Sequence, residues 1–355
     1  MDVPTIRELS NFFDKYLRPG IKNKKKIVRY EANKVMYLTQ AQENLANIHY
    51  TIKNYNIFLV REPKERIIMS LNVVDKLCNH YFTRNVLIPV TEPLLDDRNV
   101  ATREGRGSKY GVKLIRKGMT YYKNRYGKNF YYLKIDIRKY FYNISHKKLK
   151  ELLRPLLEDD DFVRVCNIID STNEPYINQG ISKLKSNSDL PSYEYGKGLG
   201  IGNLSSQCLS VFYLHKLDHY IVHDLHLKQY VRYMDDLIIF HNDKEYLKSC
   251  LEKITKILRE DYELEINTKK TKIDKISSGV IFLGNKFMLN KNNRIIMILR
   301  QATYLNFKKR MKYINYLYTH NLISFEKYFC SVSNYYYSFN SSITKVRNYI
   351  DRLPT

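Results

Sequence analysis

The stretch VRYMDDLIIF, residues 231–240, sets two adjacent carboxylates, Asp235 and Asp236, between two short apolar runs. Val231 and Tyr233 alternate with polar Arg232, and Leu237 to Phe240 is a continuous β-prone run. The pattern predicts a strand, a tight turn and a second strand, with the aspartates at the tip. Two like charges this close repel, so both stay ionised only where something positive sits between or above them. Asp is a common turn residue, and a solvated hairpin turn accounts for the same letters. The sharper reading is a platform for a divalent metal. It requires a third carboxylate from elsewhere and a reason for the charge of the rest of the chain.

That charge is large. The 355 residues carry 60 Lys+Arg against 36 Asp+Glu, a formal net charge of +24. A surplus of this size, spread along the chain rather than gathered in a tail, implies a polyanionic partner held in a basic groove. Tyr occurs 32 times and Trp not at all. Most of these rings belong to cores, and Tyr interleaved with Lys and Arg also suits a surface that stacks bases. The length suggests two or more subdomains. The five cysteines, Cys78, Cys166, Cys208, Cys250 and Cys330, lie far apart with no C-x-x-C pair. This argues against a zinc site and fits reduced thiols in a cytoplasm. No run of eighteen apolar residues and no signal-peptide pattern is present, so a soluble protein without a membrane partner is expected.

Along the chain, residues 1–60 read as helical, with a basic break at 17–26. A short strand then leads into a helix near 71–82, and a polar, glycine-containing segment into another. YYLKIDIRKYFYNI (131–144) is β-prone, and Ser145 caps a helix with apolar Leu149, Leu152 and Leu153. Residues 171–197 read as a long polar excursion. GKGLGIGN hands over to a helix over 204–224, with Asn203 as its cap. After the hairpin come a helix near 244–260, strand-like ELEIN and VIFLGNKFML, and a helical, basic, Tyr-rich tail from about 297. Strands and helices in non-alternating order suggest an α+β core with a helical C-terminal piece.

The third carboxylate is available at Asp136, inside the otherwise apolar LKIDIRKYFYNI. An unpaired charge there would be expensive to bury. Strand alternation puts Lys134, Asp136 and Arg138 on one face, so an ion pair with either neighbour stands as one reading. The other joins Asp136 to the hairpin, so that three carboxylates hold two Mg²⁺ ions for in-line displacement at a phosphoryl group. A stand-alone RNA-binding or scaffold role explains the charge and the tyrosines. It leaves the three aspartates without a purpose.

The motifs, in order, resemble a reverse transcriptase over nearly the whole chain. KIDIRKYFYNI is similar to the strand bearing the first catalytic aspartate, GLGIGNLSSQ to the loop and helix beneath the incoming nucleotide, and YMDD to the catalytic hairpin. INTKKTKI resembles the lysine motif that follows, VIFLGNKF the primer-grip hairpin, and REPKERIIMSLNVVDKLCNHY with ATREGRG the fingers motifs. The resemblance implies a right-hand polymerase: an N-terminal helical extension (1–60), fingers (61–130), a palm with a small antiparallel sheet (131–290, with a finger-like insertion near 150–197) and a helical thumb (291–355). It implies Asp136, Asp235 and Asp236 as ligands of two Mg²⁺, with Mn²⁺ able to substitute, and Lys270 as general acid to the pyrophosphate. Arg103 and Arg106 would grip the triphosphate, Phe141 would act as an aromatic gate against a ribose 2′-hydroxyl, and Ile201, Gln207 and Tyr233 would flank the nucleotide. Lys64 and Arg66 would touch template or triphosphate. Phe282, Leu283 and Gly284 would grip the primer, and Lys308, Lys309, Arg310 and Lys312 would face the duplex. The implied partners are an RNA template, a DNA or RNA primer, deoxynucleoside triphosphates, and a small accessory protein or further copies of the chain.

One segment departs from the Gln-Gly pattern usual in retroviral and group II intron enzymes: Ile201 stands where their glutamine sits beside the nucleotide. I-G-x-x-x-S-Q resembles the error-prone enzymes of diversity-generating retroelements, and antiphage defence enzymes carry similar motifs. A retron enzyme would show N-A-x-x-H and V-T-G stretches, and neither is present. A full maturase would need room for a further RNA-binding domain.

Overall fold

The computed structural model describes residues 1–21, 23–61, 65–184, 191–338 and 349–350. Among the described residues, helices combine with three small sheets, the mixed architecture expected. A two-stranded antiparallel ribbon pairs β1 (Asn56–Val60) with β2 (Arg66–Ser70). A four-stranded sheet has the order β4-β5-β3-β6, formed by β3 (Tyr131–Asp136), β4 (Tyr230–Tyr233), β5 (Asp236–His241) and β6 (Lys272–Lys275). A third, antiparallel sheet has the order β7-β8-β9, from Val280–Phe282, Asn285–Leu289 and Ile295–Leu299.

The chain divides into two compact units. One comprises Met1–Leu114, Leu133–Ile239 and Glu245–Lys272; the other comprises Ile115–Tyr132, Phe240–Lys244 and Ile273–Thr355. The first contains an N-terminal helical layer over Ile6–Tyr16, Lys24–Ala32 and Lys34–Ala46, whose Leu9, Phe13, Leu38 and Ala41 pack with Leu77 of the helix Val73–Phe82. The second contains the β7-β8-β9 sheet and the helices Gln301–Thr319 and Phe325–Ser338, which share a small core of Phe307, Met311, Ile314 and Tyr328.

Local chemistry explains several elements. Thr5 and Glu8 form a capping box on the first helix. Ser145 caps His146–Leu153 by accepting from Lys148 N, and Leu149 and Leu153 are buried, as the sequence predicts. Other expectations need correcting. The stretch read as helical to residue 60 ends in strand β1. The β-prone run of 131–144 is strand only to Asp136; left-handed Lys139 turns it into a single helical turn, Tyr140–Asn143. The polar excursion contains the helix Pro175–Leu184, driven by buried Ile177 and Ile181, while 185–190 lie outside the described residues. The helix from Leu204 ends at Tyr213 and restarts at His215, and Asn203 makes no side-chain cap bond to it. ELEIN contributes one isolated bridge, Ile137 to Ile266, rather than a strand. β6 and β9 were not foreseen.

Candidate active site

Strands β4 and β5 pair in register, Val231 with Ile238 and Tyr233 with Asp236, which leaves Met234 and Asp235 as a two-residue turn. Met234 sits at φ +56°, a left-handed conformation that a two-residue hairpin requires and that glycine usually supplies. Asp235 therefore lies in the turn, and Asp236 is the first residue of β5. Two backbone hydrogen bonds lock the neighbouring segments to the end of β3: Ile137 N donates to Asp235 O (3.1 Å), and Asn267 N donates to Asp136 O (2.7 Å). The segments LKID, YMDD and INTKK thus meet at the end of β3, within the first unit.

The cationic partners are not those strand alternation suggested. Lys270 Nζ reaches both carboxylate oxygens of Asp136, at 2.9 Å each. Lys134 instead donates to Asp236 Oδ2 at 2.9 Å, and Arg138 lies 3.5 Å from Glu265. Asp136 is 8% exposed. Burial raises the carboxyl of Asp236 to about 6, Lys134 opposes the rise, and the charges of Asp235 and Asp136 add to it. Repulsion among the three acids is therefore present in the fold.

Divalent-metal chemistry fits these residues. Asp236 Oδ1 is buried and accepts no hydrogen bond, an unsatisfied hard oxygen beside two further carboxylates. Among the described residues, no three His, Cys, Asp or Glu groups stand close enough to enclose an ion by themselves. Mg²⁺ tolerates this, because it usually takes one or two carboxylates and fills its shell with water and phosphate oxygens.

Around this centre the predicted nucleotide residues divide. Phe141 lies half-buried on the helical turn after β3, and its carbonyl accepts from Leu199 N of the glycine loop at 2.8 Å. Ile201 is half-buried, and its carbonyl accepts from Met69 N of β2 at 2.8 Å. Gln207 and Tyr233 are likewise partly exposed. Arg103 is differently placed. Its side chain is 6% exposed, and it bonds Glu92 Oε1 (2.8 Å), Asp96 O (2.7 Å) and Asn99 O (2.8 Å). Arg106 pairs with Asp97 at 2.5 Å and lies over the ring of Tyr110.

Elsewhere, Arg66 is exposed at the start of β2, and Lys64 falls outside the described residues. Phe282 is fully buried, while Leu283 and Gly284, at φ +49° and +77°, form the turn between β7 and β8. Lys309, Arg310 and Lys312 are exposed on Gln301–Thr319, and Lys308 sits over the rings of Tyr304 and Tyr349.

Sequence reasoning missed Asp218, which is fully buried with Arg232, Nη2 to Oδ2 2.5 Å. The available signal was Arg232 itself: a charge inside an apolar strand demands a buried counter-charge.

Residues 53–287, well over half of the 355, match the family model described as reverse transcriptase (RNA-dependent DNA polymerase). The chain belongs to the reverse transcriptase family. No curated protein matches it. Solved structures similar to this family member include apo telomerase from Candida Tropicalis, at 14% identity and TM-score 0.46, covering 67% of this chain and 47% of that one. Telomerase from Candida albicans with a fragment of telomeric RNA gives 14% and 0.46, covering 76% and 50%. The Candida Tropicalis enzyme truncated of its C-terminal domain gives 14% and 0.47, covering 69% and 55%. This reverse transcriptase chain spans about half the length of those telomerase chains.

Proposed function

We propose that the chain performs RNA-templated DNA synthesis, adding deoxynucleotides to a primer 3′-end. The observation that carries this reading is the backbone-locked convergence of Asp136, Asp235 and Asp236 in a member of the reverse transcriptase family. These three carboxylates would hold two Mg²⁺, with Mn²⁺ able to substitute. When bound, the ions would supply charge to ionise the primer 3′-hydroxyl and to stabilise the departing pyrophosphate.

The chain's own groups do the rest. Lys270, which pairs with Asp136 in the free enzyme, would serve as proton donor to the departing pyrophosphate once released from that carboxylate. Arg106 keeps part of its guanidinium accessible for triphosphate oxygens. Arg103 braces the loop that carries Arg106. Phe141 stands as the gate against a 2′-hydroxyl. In this reading residues 61–130 act as fingers, 131–290 as palm and 291–355 as thumb. Template and primer are held through phosphate contacts by the cations of the palm and thumb.

The biological programme we propose is the error-prone copying of a diversity-generating retroelement, with a small accessory protein. Ile201 supports it: an alkyl side chain cannot offer the hydrogen bond that a glutamine would offer beside the nucleotide, so mispaired geometry is penalised less.

The deciding experiment offers all four deoxynucleotides on a defined RNA template with a DNA primer, in Mg²⁺ or EDTA, with Asp235→Ala/Asp236→Ala as control, and sequences the product. Templated, metal-dependent product lost in the control supports polymerisation. Its absence with defined and natural RNA alike would sink that activity in favour of RNA binding alone. Errors concentrated at template adenines support diversity generation, and accurate copying favours a defence role.

A further inference from the structure

The buried pair next to the catalytic turn has no place in the chemistry above, yet both its members are tied into several polar contacts. Arg232 and Asp218 are each fully buried. Arg232 Nε donates to Asp218 Oδ1 (2.7 Å) and Nη2 to Oδ2 (2.5 Å), a two-pronged fork. Two further donors are used on backbone carbonyls: Nη2 bonds Val211 O (2.9 Å) and Nη1 bonds Met234 O (3.2 Å). Asp218 accepts in addition from Tyr230 Oη (2.6 Å) and Asn99 Nδ2 (3.3 Å). Through the backbone, Arg232 N donates to Arg98 O (2.9 Å) and Arg232 O accepts from Val100 N (3.0 Å).

We propose that Arg232, oriented by Asp218, is a positioning residue that holds the Met234–Asp235 turn in register with Asp136 and ties it to the 96–106 loop. Met234 is the residue that must keep a left-handed φ, and its carbonyl is the one Arg232 grips. The next carbonyl, of Asp235, is held by Ile137 N beside Asp136. The turn is therefore pinned on both sides of the Asp235 side chain. Asn99, which bonds Asp218, also accepts from Arg103 through its carbonyl, so one joint carries both the acids and the arginine loop. This role rests on the polymerase reading for its catalytic consequence, though not for its structural one.

Simple folding support and positioning are separable, because apolar replacement of a buried ion pair often leaves stability unchanged. The test uses the full chain carrying Arg232→Met/Asp218→Leu, with Arg232→Lys as the conservative variant that keeps the charge and loses the fork. Four quantities are read: unfolding temperature, hydrogen exchange of the 233–237 peptide without substrate, primer–template affinity by anisotropy, and the incorporation rate. We expect the double variant to unfold near the wild-type temperature and to bind primer–template normally. Its 233–237 peptide should exchange about tenfold faster, and its kcat should fall about tenfold or more. Wild-type exchange and wild-type kcat in the double variant would overturn the proposal. If the double variant does not fold, Arg232→Lys decides: slower incorporation with faster exchange supports positioning, and wild-type values of both refute it. If the wild-type protein incorporates nothing, the exchange measurement alone judges the clamp, and the polymerase reading falls separately.

Discussion

Burial raises the Asp236 carboxyl to about 6, and its Oδ1 has no hydrogen-bond partner. The unfolded chain releases this proton near pH 4, whereas the folded chain keeps it to about 6. Between those values the folded state binds more protons, so stability falls as pH rises through the window and stays reduced above it. Metal-free Asp236→Asn should therefore gain on the wild type, by roughly 2 kcal/mol more at pH 7 than at pH 4, in denaturant melts at the two values. An equal gap at both pH values would refute the assignment. Asp235→Ala should abolish incorporation while circular dichroism and unfolding temperature hold, because Asp235 lies in a turn rather than in a packed strand. The two arginines of the 96–106 loop separate on the same logic. Arg103→Ala strands Glu92 and two carbonyls and should cost about 2 kcal/mol of stability. Arg106→Ala should leave stability nearly intact and raise the nucleotide KM.

The glycine loop 198–203 shows how an element positions a site. At Gly202, φ is +121°, and a Cβ would meet Ile68 Cγ2 at 2.9 Å and Met69 O at 3.2 Å. At Gly200 a Cβ would approach Met69 Sδ to 3.0 Å. The loop can thus lie against β2 only while Gly202 lacks a side chain, whereas at Gly200 the end of the Met69 side chain would have to shift, and the Met69 N to Ile201 O bond depends on that approach. Gly202→Ala should cost about 1–3 kcal/mol by unfolding and lower incorporation, since the loop carries Ile201. Ile201→Gln tests the programme rather than the fold: it should reduce misincorporation at template adenines while stability is unchanged.

For the whole molecule, the net charge of +24 sets the character of binding. Phosphate contacts release counterions, so affinity for a primer–template should fall on the order of a thousandfold between about 50 and 200 mM salt. A nearly flat salt dependence would refute phosphate-dominated binding. The second unit holds a dense group of exposed cations and rings on one helix, with Lys309, Lys312, Tyr313 and Tyr316 all open to solvent. No helix among the described residues is long and apolar enough to cross a membrane.

Local sequence was sufficient for whatever depends on neighbours in the chain. Alternation around Asp235 and Asp236 marked the β4–β5 hairpin, Ser145 marked a helix start, and the apolar setting of Asp136 marked a charge in need of company. The order of motifs carried the family, which the match over 53–287 shows. Partnerships were decided by the tertiary structure. Lys134 and Arg138 were the nearest cations to Asp136 in sequence, yet Lys270 took it, because the INTKK turn docks on the end of β3 through Asn267. Arg232 declared that a counter-charge existed, but Asp218 was identified by helix packing alone. The physical reason is common to both. Strand and turn propensities act over a few residues, whereas a buried charge pairs with whichever opposite charge the chain brings into the same low-dielectric space.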